Sequence, residues 1–148
     1  GEVANNIIFD TEEYISREGL KGRSAKIIPS GTVVMAMYGA TASQVTYLDC
    51  DTTTNQACCN MLTATFEEAA YLYFHCLYQQ ENIKRLANGG AQENLSQELI
   101  CAQPILICEN THIYDVFSKL LSAKIAFSKE NYCCGILLKN LLSNIVII

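Results

Sequence analysis

Hydrophobic positions between residues 27 and 64 follow strand patterns. Thr32 to Met37 is a continuous β-branched and apolar run bounded by Gly31 and Gly39, which predicts a buried strand. QVTYLD (44–49) alternates and predicts a second strand, and NQACCNMLTA (55–64) predicts a third. This part of the chain is therefore expected to form a small sheet.

The apolar period becomes helical at Phe66. Thr65 is placed to cap the helix, Glu67 and Glu68 suit its first turn, and Lys84 and Arg85 suit its last. The pattern predicts a helix of about five turns that ends before a glycine. Its apolar positions are Phe66, Ala69, Ala70, Leu72, Tyr73, Cys76, Leu77 and Ile83.

Shorter elements are predicted on either side of this core. Thr11, followed by Glu12 and Glu13, predicts a capped helical turn that glycines 19 and 22 close. NLSQELI (94–100) predicts a short helix opened by Asn94, and ILIC (105–108), after Pro104, predicts an extended run or a short strand.

The last 36 residues (113–148) carry a sevenfold apolar repeat. It predicts a long helix with a coiled-coil-type seam, on the order of 50 Å if continuous, with Gly135 as a candidate kink. Such a seam has to be covered by a partner helix in this chain or another. Its members are Ile113, Leu120, Phe127, Cys134, Leu141 and Ile148, with companion positions at Val116, Phe117, Ala123, Leu137, Leu138 and Ile145. The residues proposed as the helix interface are Ile113, Leu120, Phe127 and Leu141.

Polar, amide-rich loops accompany these elements. They are YGATASQ (38–44), DTTTNQA (51–57) and ANGGAQENLS (87–96). Glycines admit close backbone approach, and glutamine or asparagine can read a base edge or bind a phosphate. The alternative is local: Asn55 and Gln56 would cap strand ends, and Asn94 would cap a helix. The third loop would then only connect the end of one helix to the beginning of the next.

Composition indicates a globular chain: 50% of its residues are hydrophobic and 17% are charged. No run approaches the ~20 apolar residues of a membrane span, and no leader is visible, so a cytoplasmic location is expected. The net charge of −5 argues against binding nucleic acid by bulk electrostatics. Basic residues nevertheless cluster at Arg17, Lys21, Arg23 and Lys26, which leaves open a local basic edge or an ordinary solvated surface.

Catalytic and metal-binding patterns are weak. The eight cysteines include no CxxC pair, and His75 lies far in sequence from His112, so reduced core thiols are favoured over zinc ligands. Neither YGAT nor NGGAQ is a phosphate-binding loop. We expect no enzyme, no metal and no cofactor.

Several segments together resemble the target recognition domain of type I restriction–modification specificity subunits. They are ISREGLKGRSAKIIPSGTVVMAMYGAT (15–41), TNQACCNM (54–61) and NGGAQENLSQELICAQPILI (88–107). Their order and spacing match the family's, and the helix after them is similar to its spacer helix. The implied fold is mixed α/β (α+β), with a twisted sheet in a recognition domain over residues 1–108 and a coiled-coil-type spacer helix over 109–148.

The resemblance implies a DNA-binding module that reads one half of a bipartite site in double-stranded DNA and scaffolds the methyltransferase subunits. Those subunits would carry S-adenosylmethionine, and a motor-nuclease subunit would add restriction. The DNA-facing residues it implies are Ser24, Lys26, Tyr38, Thr41, Gln44, Asn55, Gln56, Gly89, Gly90, Gln92 and Asn94.

Two departures from the family pattern bear on assembly. The family's first strand and GGTP-like turn are not seen, and the chain has room for one recognition domain, so a half-subunit or a fragment is expected. Pairing of two copies through the C-terminal helix would restore two domains. The alternatives are an assembly piece that docks through its helix without reading DNA, and a thiol or metal-dependent enzyme.

Overall fold

The computed structural model describes residues 2–4, 7–21, 26–87 and 94–145. The fold is mixed α+β and ends in a long helix, as predicted. Its strands are β1 (Ile7–Ile8), β2 (Ile27–Ile28), β3 (Val33–Ala36), β4 (Val45–Leu48), β5 (Thr52–Thr53) and β6 (Cys58–Met61). Its helices are α1 (Arg17–Lys21), α2 (Phe66–Ala87), α3 (Gln97–Cys101) and α4 (His112–Ile145), with 3-10 turns at Glu2–Ala4 and Gly39–Thr41.

The main sheet has the strand order β1-β4-β3-β6. β1 runs parallel to β4, whereas β3 is antiparallel to both β4 and β6. Because β3 is paired on both edges and covered on both faces, all of its side chains are buried, which accounts for its unbroken apolar run. β2 and β5 form a separate antiparallel ladder.

Helix α2 covers one face of the main sheet. Its buried side chains Ala69, Ala70, Tyr73, Cys76 and Ile83 recur at helical spacing and pack with the inward-facing residues of β3 and β4. The predicted cap is confirmed, since the Thr65 hydroxyl accepts from the Glu68 N–H at 3.2 Å. This face is the main core of the molecule.

The opposite face of the sheet carries a smaller apolar cluster. Ile8, Val34 and Leu48 are buried there, with Ile28 of β2 and Cys58 packed against them. Alternation along each strand sends successive side chains to the two faces, so β3 contributes Val33 and Met35 to the main core and Val34 to this one.

The structure confirms the main predicted strands and α2, and it corrects the predictions for two short segments. Residues 11–16 are not helical; the short helix α1 begins at Arg17 instead. Residues 105–108 belong to no strand, which rules out the strand alternative and leaves the extended run, and Leu106 is 79% exposed. The two-residue strands β1, β2 and β5 were not predicted, since they are too short to show a period.

Helix α4 continues unbroken through Gly135, and its 34 residues span about 51 Å. Its first half packs on α2, where it buries Leu121 completely and places Phe117 and Ile125 against the main core. The predicted seam is a neighbouring stripe that this contact does not cover. Its members are exposed by 37% at Ile113, 51% at Leu120, 67% at Phe127 and 62% at Leu141.

The cysteines, all unpaired, fall into different environments. Cys59 and Cys76 are buried core residues, as predicted, but Cys101, Cys133 and Cys134 are exposed. The core interpretation therefore holds for the first pair and is wrong for these three, two of which lie on the solvent-facing half of α4.

A thiol reagent should distinguish these groups. Burial raises the pKa of Cys59 to about 11 and that of Cys76 to about 12, from an ordinary 9.0, so both thiols should react only on unfolding while Cys133 reacts at once. Above about pH 9 the thiol of Cys76 loses its proton in the unfolded chain but keeps it in the folded chain. The free energy of unfolding should therefore be unaffected by this thiol below pH 9 and should decrease as pH rises toward 12. Alkylation at pH 8, followed by peptide mass spectrometry, checks the order; equal rates for Cys76 and Cys133 in the folded chain would contradict it.

Candidate nucleic-acid interface

Met37, the buried residue after β3, joins the polar loops. Its N–H donates to the Ala57 carbonyl at 2.8 Å, and its carbonyl accepts from the Leu95 N–H at 2.7 Å. The preceding residue, Ala36, donates its N–H to the Gln44 carbonyl at 2.9 Å. Loops whose joined residues are as much as 58 positions apart in sequence (Met37 and Leu95) are thereby held at one end of the sheet.

We call this end the amide rim. It comprises the described candidate residues Tyr38, Thr41, Gln44, Asn55, Gln56 and Asn94. Strand direction explains the convergence: β3 ends here, whereas β4 and β6, antiparallel to it, begin here.

The first loop of the amide rim is a tight turn. Gly39 has φ +68° and opens a 3-10 turn that the bond from the Ala42 N–H to the Gly39 carbonyl closes at 2.9 Å. Ser43 also has a positive φ, 71°, which is uncommon for a residue with a Cβ, and its side chain is fully buried. The turn leaves Tyr38 at the surface, 44% exposed.

The second loop is stabilised by its own side chains. The Asn55 Oδ1 accepts from the Ala57 N–H at 2.9 Å, so the capping alternative is correct for Asn55. The Asn60 amide donates to the Thr54 hydroxyl at 2.7 Å. Gln56, at the tip, is exposed, so its side chain is available to a ligand.

The third loop returns to the sheet at Asn94, which forms an antiparallel bridge with Tyr38. The helix that follows is capped by Ser96, whose hydroxyl accepts from the Leu99 N–H at 3.2 Å. The prediction that Asn94 opens this helix is therefore wrong, because the side chain one residue before the helix makes the cap. Asn94 lies exposed beside the first loop.

Of the remaining candidates, Lys26 is exposed immediately before β2. In the β2–β5 ladder Ile27 stands opposite Thr53, so Lys26 lies toward Thr54 and the second loop. Ser24, Gly89, Gly90 and Gln92 lie outside the described residues.

A shallow cleft of about 250 Å³ opens on the second face of the sheet, beside the amide rim. Tyr38, Thr41 and Asn55 line it together with Thr46 and the run Thr52–Thr54. These additional threonines were not among the predicted site residues. The run TTTN was visible in the sequence, but only the fold shows that β4 and β5 share this cleft.

Carboxylates gather at the opposite end of the sheet, at Asp10, Asp49 and Asp51, which we call the acidic rim. They surround Cys50, where burial and then the charges of these carboxylates raise the pKa of the thiol. Asp49 pairs with Lys129 of α4 at 2.6 Å. These three carboxylates lie away from the amide rim, whereas Glu2 lines the cleft beside it.

Within the part of the chain that the structure describes, no group of three or more histidine, cysteine or acidic side chains is arranged to hold a metal. His75 lies in α2, with its Nε2 buried, and His112 is at the start of α4 beside Asp115 at 3.7 Å. The described helices include none with the length and hydropathy of a membrane span.

A polar surface built from loops on a rigid sheet is the arrangement typical of a binding domain. The family model for the type I restriction modification DNA specificity domain matches residues 2–132, and the chain belongs to that family. It is therefore a DNA-recognition domain of a type I restriction–modification specificity subunit, whose partners are DNA and the methyltransferase subunit. A comparison with curated proteins gave no match.

Proposed function

We propose that the chain reads one half of a bipartite DNA site through the amide rim, and that α4 is the spacer that sets it in a larger complex. The observation that carries this proposal is the joining of all the polar loops at Met37. Separate sequence motifs thereby become parts of one polar surface.

The side chains of the amide rim suit base and phosphate contacts. Gln56 and Asn94 are exposed amides, each with a donor and an acceptor, which is what pairing with an adenine edge requires. Tyr38 and Thr41 add hydroxyls, while Asn55 shapes its loop through its bond to Ala57. Ser24, Gly89, Gly90 and Gln92 remain predicted DNA-facing residues.

Charge supports this orientation of the domain. The acidic rim would be repelled by phosphates, so DNA is expected at the other end, where Lys26 lies near the second loop. With a net charge of −5, the chain alone should bind DNA weakly, and much of the nonspecific affinity should come from its partner subunits.

The assembly we propose follows the predicted division into a recognition domain (1–108) and a spacer helix (109–148). The exposed stripe Ile113, Leu120, Phe127 and Leu141 would pair with a second copy, giving two recognition domains on one scaffold. Methyltransferase subunits would dock on that scaffold and supply catalysis with S-adenosylmethionine, a motor-nuclease subunit would add restriction, and the chain itself would act in the cytoplasm without catalysing a reaction.

The exposed stripe also supports an alternative function, in which the chain is an assembly piece that docks through α4 without reading DNA. The two proposals differ in one measurable property. An assembly piece would bring DNA of any sequence to the complex, whereas a recognition domain would select a motif.

Replacing Lys26 with alanine tests the proposed DNA face. If Lys26 contacts a phosphate, the slope of log K against log salt should lose about 0.9 in magnitude, since one fewer counterion is released. Fluorescence anisotropy of a labelled duplex over a salt series measures this, and Lys119→Ala, an exposed lysine on α4, is the control. Equal slopes for the native chain and Lys26→Ala would remove Lys26 from the interface.

A further inference from the structure

A contact at the acidic rim attaches α4 to the ends of β1 and β4. The Lys129 ammonium lies 2.6 Å from the Asp49 carboxylate and 5.5 Å from the centre of the Phe9 ring. Phe9 also packs on Tyr132 with ring centroids 6.0 Å apart. We call these four residues the helix clamp.

Among the described residues, the helix clamp is the last recorded side-chain contact of α4 with the domain. Side chains 133–144 are all exposed, so this part of the helix is little covered by the domain. Before the clamp, α4 is held on α2 through Phe117, Leu121 and Ile125. The clamp adds a second attachment from a different element, because Asp49 follows β4 and Phe9 follows β1.

We propose that the helix clamp determines the spacing between the two DNA half-sites, an inference that rests on the proposed function. Residues 133–145 form a lever of about 20 Å, so a change of about 10° in direction moves its end by about 3.5 Å. That displacement equals the rise of one base pair, about 3.4 Å. A change of about 10° in the direction of α4 after loss of the Lys129 contact is therefore enough to change the preferred spacing between the half-sites.

Charge reversal tests this directly. The full chain, bound to its methyltransferase subunit, is offered duplexes that carry two half-sites separated by spacers of graded length. The native chain should retain one spacing, whereas Asp49→Lys and Lys129→Asp should retain the neighbouring spacings comparably well while still selecting the same half-site motif. The double reversal re-forms the ion pair and should restore the single spacing. Lys119→Asp, exposed on the same helix, is the charge control and should retain the native spacing.

Thermal melting shows whether each variant is folded, and Lys129→Gln, which removes the charge without reversing it, replaces a reversal that does not fold. Variants that bind the motif and keep the native spacing would overturn the role of the clamp. If the native chain recovers no motif, the proposed function is overturned as well. The two failures are distinguishable, because loss of motif selection would then be seen in the native chain and in every variant.

Discussion

Replacing Leu121 with alanine is expected to lower the free energy of unfolding by about 2–5 kcal/mol, because the removed atoms come from a fully buried site at the contact between α2 and α4. Domains of this size have a free energy of unfolding of only about 5–15 kcal/mol, so the substitution should remove a large share of it. Urea unfolding followed by circular dichroism measures the change.

The adjacent residue provides a matched control. Leu120→Ala makes the same chemical change at a side chain that is 51% exposed, so in the monomeric chain it should cost less than about 0.5 kcal/mol. At concentrations where the chain self-associates, Leu120→Ala should weaken association if the exposed stripe is the helix interface. Equal destabilisation of the monomer by both variants would mean that α4 does not pack as described.

Replacing Gln56 with glutamate is expected to weaken binding to a duplex carrying the recognised motif by about 1–3 kcal/mol, roughly a factor of 5 to 150. The change keeps the size of the side chain while removing its amide donors and placing a negative charge at the tip of the second loop. Fluorescence anisotropy with the motif duplex, in the presence of the methyltransferase subunit, measures the loss.

Asn140→Asp is the control for this charge change. Asn140 is exposed in the second half of α4, and its replacement likewise turns an amide into a carboxylate and adds the same charge to the chain. We expect affinity within about twofold of native for Asn140→Asp, as for a distant surface charge. Similar losses for both variants would indicate a general electrostatic effect and would argue against Gln56 as a contact.

The fold was predictable where local patterns are strong. β3 is recognisable in the sequence as an apolar run, because neighbours on both edges and both faces bury it. α2 is recognisable from the helical period of its apolar residues and from the cap at Thr65. The projecting helix was also predictable, but not the stripe that it buries. The sevenfold count selected Ile113, Leu120 and Phe127 and had Phe117 only as a companion, whereas the contact with α2 also uses Leu121 and Ile125, which were not selected. A helix with apolar residues on two sides does not specify which side a neighbour takes.

The candidate site could be listed from its motifs but not assembled from them. No local pattern indicates that Met37 bonds to both Ala57 and Leu95, since such contacts depend on strand order and register. The helix cap could not be read from the sequence either, since Asn94 and Ser96 are both residue types that cap helices. In the structure Asn94 pairs with Tyr38, and Ser96 caps the helix. The contact between Lys129 and Asp49 spans eighty residues and could be found only in the structure.

Selection from a pool of random duplex DNA, by the full chain with and without a methyltransferase subunit, tests the central claim most directly. We expect recovery of a short shared motif, or of two copies of it at a fixed spacing if two chains pair through α4. Retained DNA without a shared motif, or no retention even with the partner subunit present, would contradict sequence reading by this domain.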